Sequence, residues 1–168
     1  ANPLYAVANA IGAVAAARAL DERGGAVLEL GGGLGSGAEA LLERLAPGVV
    51  PSYRFTELSP LFLRRAERSL KSRFRDHPLE FAALDLDRRF GVAPGSFALV
   101  YGVNVLHVAR DLAATLAEVR AALVPGGALV IAECLRPAAE QPVYVELAFN
   151  LLAAFRGFRT AQAWTEVL

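Results

Sequence analysis

The 168-residue chain has no methionine, one cysteine (Cys134), one tryptophan (Trp164), one lysine (Lys71) and two histidines (His77 and His107). A single thiol cannot close an internal bridge, so the fold must rest on a hydrophobic core. Histidine and cysteine are too few and too scattered for metal-ligand spacing, and no metal is expected. Net charge is also missing, because 17 Lys and Arg balance 17 Asp and Glu. The chain therefore lacks the basic footprint of a protein that tracks a phosphate backbone, and nucleic acid is not an expected partner. Although 55% of the residues are hydrophobic, no uninterrupted apolar run approaches the ~20 residues that cross a bilayer. The most apolar early stretch, 4–17, contains Asn9 and Gly12 and no basic leader. It reads as a buried helix rather than a signal peptide, in a cytoplasmic protein with no membrane partner. The absence of methionine predicts that residue 1 is not the start of the translated product.

What is present alternates short apolar runs with longer helical stretches, without repeats or linkers. That is the sequence form of one domain built on a parallel sheet covered by helices. Pro3 to Arg23 reads as a leading helix closed by Gly24-Gly25. Strands are expected at Ala26–Leu30, Tyr53–Glu57, Leu79–Leu84, Phe97–Val103 and Ala128–Glu133. Helices are expected at about Ser36–Leu45, from Pro60 to about Phe74 with Ser59 as N-cap, and over Asp111–Leu123. Pro125-Gly126-Gly127 reads as the turn before strand five. A helix over roughly Val143–Phe155 and a fragment from Thr160 to Leu168 complete the chain.

Chemistry concentrates where the strands end. Strand one runs into Glu29-Leu30-Gly31-Gly32-Gly33-Leu34-Gly35-Ser36-Gly37 and then a helix. Such a turn lets a ligand approach main-chain N–H groups. Gly33, Gly35 and Ala38 satisfy G-x-G-x-x-A, so a nicotinamide or flavin cofactor is one alternative. Glu57 ends strand two, 22 positions beyond Gly35, near the ~20-residue offset at which doubly wound folds place a carboxylate on ribose hydroxyls. Asp85 follows strand three at the same sheet edge, where it can accept from an adenine amino group while Leu86 packs on the ring. Asp87, Arg88 and Arg89 read as a solvated turn.

These residues together resemble the class I S-adenosylmethionine-dependent methyltransferases. V-L-E-L-G-G-G-L-G at 27–35 matches the cofactor loop of that family, Phe55-Thr56-Glu57 its ribose strand and Leu84-Asp85-Leu86 its adenine contact. The run 123–131, L-V-P-G-G-A-L-V-I, matches its post-helix turn and fifth strand. The resemblance covers nearly the whole chain. It implies a Rossmann-like, doubly wound α/β fold with strand order 3-2-1-4-5 and helices on both faces. It further implies S-adenosylmethionine as cofactor, S-adenosylhomocysteine as product, and cofactor contacts from Glu29, Gly31, Gly33, Gly35, Glu57, Leu58, Asp85, Leu86 and Asn104. Such a domain divides into an N-terminal helix (1–24), a cofactor-binding core (25–135) and a C-terminal helical part (136–168). Family members add two strands after the fifth, so strands six and seven are expected to lie outside the chain shown. The abrupt passage at Phe155-Arg156-Gly157-Phe158 predicts residues absent between 156 and 157.

Within that family, Tyr101-Gly102-Val103-Asn104-Val105-Leu106-His107 is similar to the A-N-V-L-H segment of polyketide-synthase C-methylating domains and related stand-alone natural-product enzymes. Val108-Ala109 stands where Ala-Thr is usual, and Leu34 where Thr is common. The resemblance implies a catalytic dyad of His107 and Glu133. Neutral imidazole suits removal of a proton from a carbon acid or hydroxyl near pH 7, and a carboxylate on its other nitrogen fixes the tautomer. Tyr5, Tyr101 and Tyr144 are candidate walls near the sulfonium, whose charge an aromatic face favours. The expected partner is a small-molecule or carrier-bound acceptor, polyketide-like or phenolic, for a monomer or homodimer. A catalytically idle cofactor-binding scaffold and an NAD(P)-dependent oxidoreductase are the alternatives.

Overall fold

The computed structural model describes residues 3–21, 24–151, 155 and 157–168. At its centre five strands form one sheet in the order β3-β2-β1-β4-β5. They are β1 (Val27–Leu30), β2 (Tyr53–Thr56), β3 (Leu79–Ala82), β4 (Phe97–Val103) and β5 (Leu123–Ala132). Each neighbouring pair is parallel, so the chain crosses over between strands, through α2 (Ser36–Leu42), α3 (Pro60–Arg73) and α4 (Leu112–Ala122) among others. From β1 the chain winds outward to β3, then returns to lay β4 on the other side of β1. That reversal opens a crevice at the carboxyl ends of β1 and β4.

Alternation along the strands sorts the core into two layers. Val27, Tyr53, Phe55, Leu99 and Tyr101 face one side, where Ala13, Ala16 and Leu20 of α1 (Pro3–Asp21), Leu41 and Leu42 of α2, and Ala66 and Leu70 of α3 cover them. Leu28, Leu30 and Val100 face the other side and meet Leu112, Val119 and Ala122 of α4 together with Trp164. Trp164 lies on a short helix, α6 (Ala161–Thr165), that follows α5 (Glu146–Phe149). The fold class and strand order are those expected from the motif order.

Three local differences have physical causes. Pro125-Gly126-Gly127 is not a turn ahead of β5 but an excursion within it: Phe97 pairs with Leu123 and Leu99 with Ala128, and residues 124–127 loop out between those pairings. Ser59 sits at the N-cap of α3 with Pro60 inside the helix, yet its side chain makes no cap bond. Its main-chain N–H donates instead to Glu57 Oε1 at 2.8 Å. Of the helix expected over 143–155, the described residues are helical at Glu146–Phe149. Its leucine pair at helical spacing, Leu147 and Leu151, is 80% and 87% exposed, so those two side chains add no buried contact to extend it. Residues 152–154, and the expected break at 156–157, lie outside the described residues, as does the stop of α1 at 22–23.

Candidate active site

The loop after β1 is shaped by its glycines and tied down by one carboxylate. Gly31 has φ 53°, and a Cβ there would stand 2.1 Å from Val105 Cγ2, so no larger residue fits. Gly33 turns its N–H to Glu57 Oε2 at 2.9 Å. Glu57 thereby fastens the loop after β1 and, through Ser59 N–H, the start of α3. Each of its oxygens keeps a lone pair for another donor. Gly35, in the left-handed region, caps α2.

A cleft of about 530 Å³ opens beside this loop at the carboxyl edge of the sheet, lined in part by Gly31, Glu57, Leu58, Leu84, Asp85 and Leu86. Asp85 Oδ1 accepts from Asp87 N–H at 3.0 Å, and Oδ2 lies 3.3 Å from Arg88 Nε. The arrangement sets two half-buried carboxylates among apolar walls. Asp87 and Arg88, exposed in a turn as expected, also line the cleft, as does Arg110. Asp87 Oδ1 accepts from Arg110 N–H at 2.7 Å and so joins the loop after β3 to the approach of α4. Their alternating charges pointed only to solvent, and nothing in the local pattern announced the link.

His107 and Glu133 meet. His107 lies in the single 3₁₀ turn after β4 (Leu106–Val108), and Glu133 directly follows β5. Nδ1 stands 2.7 Å from Glu133 Oε2, with the two side chains 1% and 2% exposed. Glu133 Oε1 accepts from the N–H groups of Val105 at 3.0 Å and Leu106 at 2.7 Å. In a neutral imidazole so placed, the acceptor carboxylate selects the tautomer with the proton on Nδ1 and the lone pair on Nε2. Nε2 is buried without a hydrogen-bond partner among the described residues. The rings of Phe149, Phe155 and Phe158 stand edge-on to the imidazole, with centroids 5.1, 5.9 and 4.9 Å from its own.

Other expected residues sit elsewhere. Glu29 does not face the cleft: it is 2% exposed, accepts from Tyr53 Oη at 2.8 Å and lies under the start of α2, where Ala38 N–H reaches it. Burial pushes its carboxyl up to about 8. Asn104 is absent from the cleft lining as well. With φ 51° it turns its Oδ1 to accept from Cys134 N–H at 3.1 Å, which braces the loop carrying Glu133. Tyr101 is strand core, fully buried. Tyr5 is half-buried near Cys134 and Tyr144, and burial raises its hydroxyl. Tyr144 is 75% exposed and is not among the residues that line the cleft. Among the described residues, no group of three or more His, Cys, Asp or Glu could hold a metal ion, and no helix is long and apolar enough to cross a membrane.

A family model described as a methyltransferase domain matches residues 28–129, from β1 into β5. The chain belongs to this methyltransferase family. The methyltransferase domain is 35% identical over 159 residues to polyketide synthase ThaG of Burkholderia thailandensis, covering 90% of this chain and 3% of that protein. It is similar to the CurJ carbon methyltransferase with a TM-score of 0.73 and 29% identity, over 87% of this chain and 40% of that one. The trans-methyltransferase CalH, in complex with SAH, matches with a TM-score of 0.69 and 29% identity, over 90% and 43% of the respective chains. The chain thus spans a few per cent of the length of the curated relatives it matches. In sequence and in fold this methyltransferase domain is similar to the C-methylating domains of polyketide synthases.

Proposed function

We propose that this domain binds S-adenosylmethionine in the cleft beside the glycine loop. It methylates a small polyketide-like acyl or phenolic acceptor, free or carrier-bound, with His107 as general base and Glu133 as its orienting partner. The observation that carries the reading is the buried Nδ1 to Oε2 contact of 2.7 Å, set where β4 and β5 end and next to a cleft with the right acceptors and walls. The cleft suits the cofactor. Glu57 retains acceptor capacity for ribose hydroxyls, Asp85 for an exocyclic amine, and Leu58, Leu84 and Leu86 supply apolar contact for a flat ring. When bound, S-adenosylmethionine supplies a methyl group made electrophilic by its sulfonium.

The protein's own work is proton handling and placement. Nε2 of His107 takes the proton from the acceptor carbon or hydroxyl as its new bond to the methyl group forms. Nδ1–H stays on Glu133, which offsets the positive charge of the imidazolium without itself taking the proton. The aromatic surroundings keep water from the lone pair. An acceptor with an acidic carbon or phenolic hydroxyl supplies a proton that such a base can take.

Calorimetry with S-adenosylhomocysteine should give binding that is lost in Glu57→Ala; no binding to the intact domain would end this reading. His107→Ala should abolish turnover on acyl-thioester or phenol acceptors, read by intact product mass, with cofactor affinity unchanged. The enclosure of Nε2 favours a second reading, a cofactor-binding domain that no longer turns over. It predicts the same calorimetry with no methylated product from any acceptor.

A further inference from the structure

We propose that the ion pair between Arg136 and Glu146 is a latch that holds the chain bearing Phe149 and Phe158 across Nε2 of His107, making these two charged side chains positioning residues for the base. Nε2 can receive a proton only from an atom about 3 Å away, and it is buried without a partner among the described residues on an imidazole against which Phe149, Phe155 and Phe158 pack. For an acceptor to arrive, these rings must move, and the contact that ties Phe149 and Phe158 down is a carboxylate.

Glu146 is 2% exposed and gathers four donors from three parts of the chain. Arg136, just beyond β5, gives Nε to Oε1 at 2.7 Å and Nη2 to Oε2 at 2.5 Å. Val143 N–H donates to Oε1 at 3.2 Å, and the main chain of Phe158 donates to the same carboxylate. Two of the cage residues are thus tied to Glu146 by the backbone: Phe158 by its own N–H, Phe149 as the last residue of the same short helix. Arg136 is tied in turn. Its Nη1 donates to Ala139 O at 2.8 Å, and its main-chain N–H donates to Arg159 O at 3.1 Å. Among the described residues of this strap, Leu147 and Leu151 are 80% and 87% exposed and give it no apolar anchor. A two-pronged pair between guanidinium and carboxylate is directional and strong where the carboxylate is dry. Loss of either partner leaves the other charge unpaired. Arg136 keeps 23% of its side chain exposed, so the latch is accessible from the outer face.

The consequence for catalysis rests on His107 being the base, but the closure itself does not, and the test reads only the closure. Diethyl pyrocarbonate labels both histidines of the chain, and mass spectrometry of the peptides gives each rate separately. His77, half-exposed in a turn, is the internal reference. In the unaltered protein His107 should react at least about tenfold more slowly than His77. Glu146→Gln and Arg136→Gln should each raise the His107 rate at least about tenfold, leaving His77 unchanged and amide protection in β1 and β4 intact. Phe158→Ala should open His107 without breaking the ion pair. If Glu146→Gln loses core protection, Arg136→Gln decides, because it removes the more exposed partner. An unmoved His107 rate in Arg136→Gln, or a starting rate equal to that of His77, overturns the latch. Undiminished methyl transfer by His107→Ala would instead remove the base and leave the latch standing.

Discussion

Replacing Glu29 with glutamine should stabilise the domain at pH 8 while changing little at pH 5. The folded state holds this carboxyl at about 8 against an ordinary 4.5 because burial disfavours the charge. The unfolded chain therefore gives up the proton first as pH rises. A raised carboxyl contributes stability below its unfolded value and loses that contribution as pH climbs towards the folded one. At 1.36 kcal/mol per pH unit, the loss between pH 5 and pH 8 is about 3 to 4 kcal/mol, a large part of a typical domain's 5–15 kcal/mol. Glutamine keeps the shape, since its oxygen can accept from Ala38 N–H while its amide donates to the Tyr53 hydroxyl, which rotates to receive it. Urea unfolding of both proteins from pH 5 to pH 8.5 at fixed ionic strength gives the difference directly. It should grow in favour of Glu29→Gln by about 3 kcal/mol across the range. Parallel profiles, within about 0.5 kcal/mol of one another, would mean that Glu29 is not a dry carboxyl beneath α2.

Three other outcomes follow from single contacts. Glu57→Ala strips the acceptor from Gly33 N–H and Ser59 N–H, so urea unfolding should register a loss of about 1–3 kcal/mol alongside the lost cofactor binding. Gly31→Ala places a methyl 2.1 Å from Val105 Cγ2 at a φ of 53°. A thermal melt should lose several degrees, from roughly 2–3 kcal/mol of clash and backbone strain, and an unchanged melt would contradict the loop geometry. Glu133→Gln can keep an oxygen on the N–H groups of Val105 and Leu106 but no longer supplies a charge for Nδ1–H. Turnover should fall by about 10³-fold or more with the melting temperature nearly kept, and full activity would rule out the dyad.

Most of the fold was legible because each strand is a short apolar run between turn residues. Val27, Phe55 and Leu99 belong to one face and Leu28 and Val100 to the other, so strands buried on both sides read as continuous hydrophobic runs. Periodicity was misleading over the described residues around Phe149, where Leu147 and Leu151 stand at helical spacing yet are exposed. Periodicity measures only what a helix would present, and the tertiary contact that decides here is the carboxylate of Glu146 facing an arginine ten residues earlier. The excursion at 124–127 was hidden for a related reason. Pro-Gly-Gly reports that the chain turns, but which residues pair on either side depends on β4, whose Phe97 reaches back to Leu123.

The site divides along the same line. Residues whose job follows from their place on a strand end, namely Glu57, Asp85, His107 and Glu133, are brought to the carboxyl edge because parallel strands carry them there. Glu29 and Asn104 occupy matching motif positions, yet their side chains turn into the protein, which spacing alone does not encode. Val105 connects the two halves of the site. Its side chain fills the space that Gly31 leaves open and lines the cleft, while its N–H donates to Glu133 Oε1. One residue therefore bears on the glycine loop with its methyl groups and on the His107 partner with its backbone. The cleft and the His107–Glu133 pair, drawn from opposite sides of the topological switch, are in this way held as one piece.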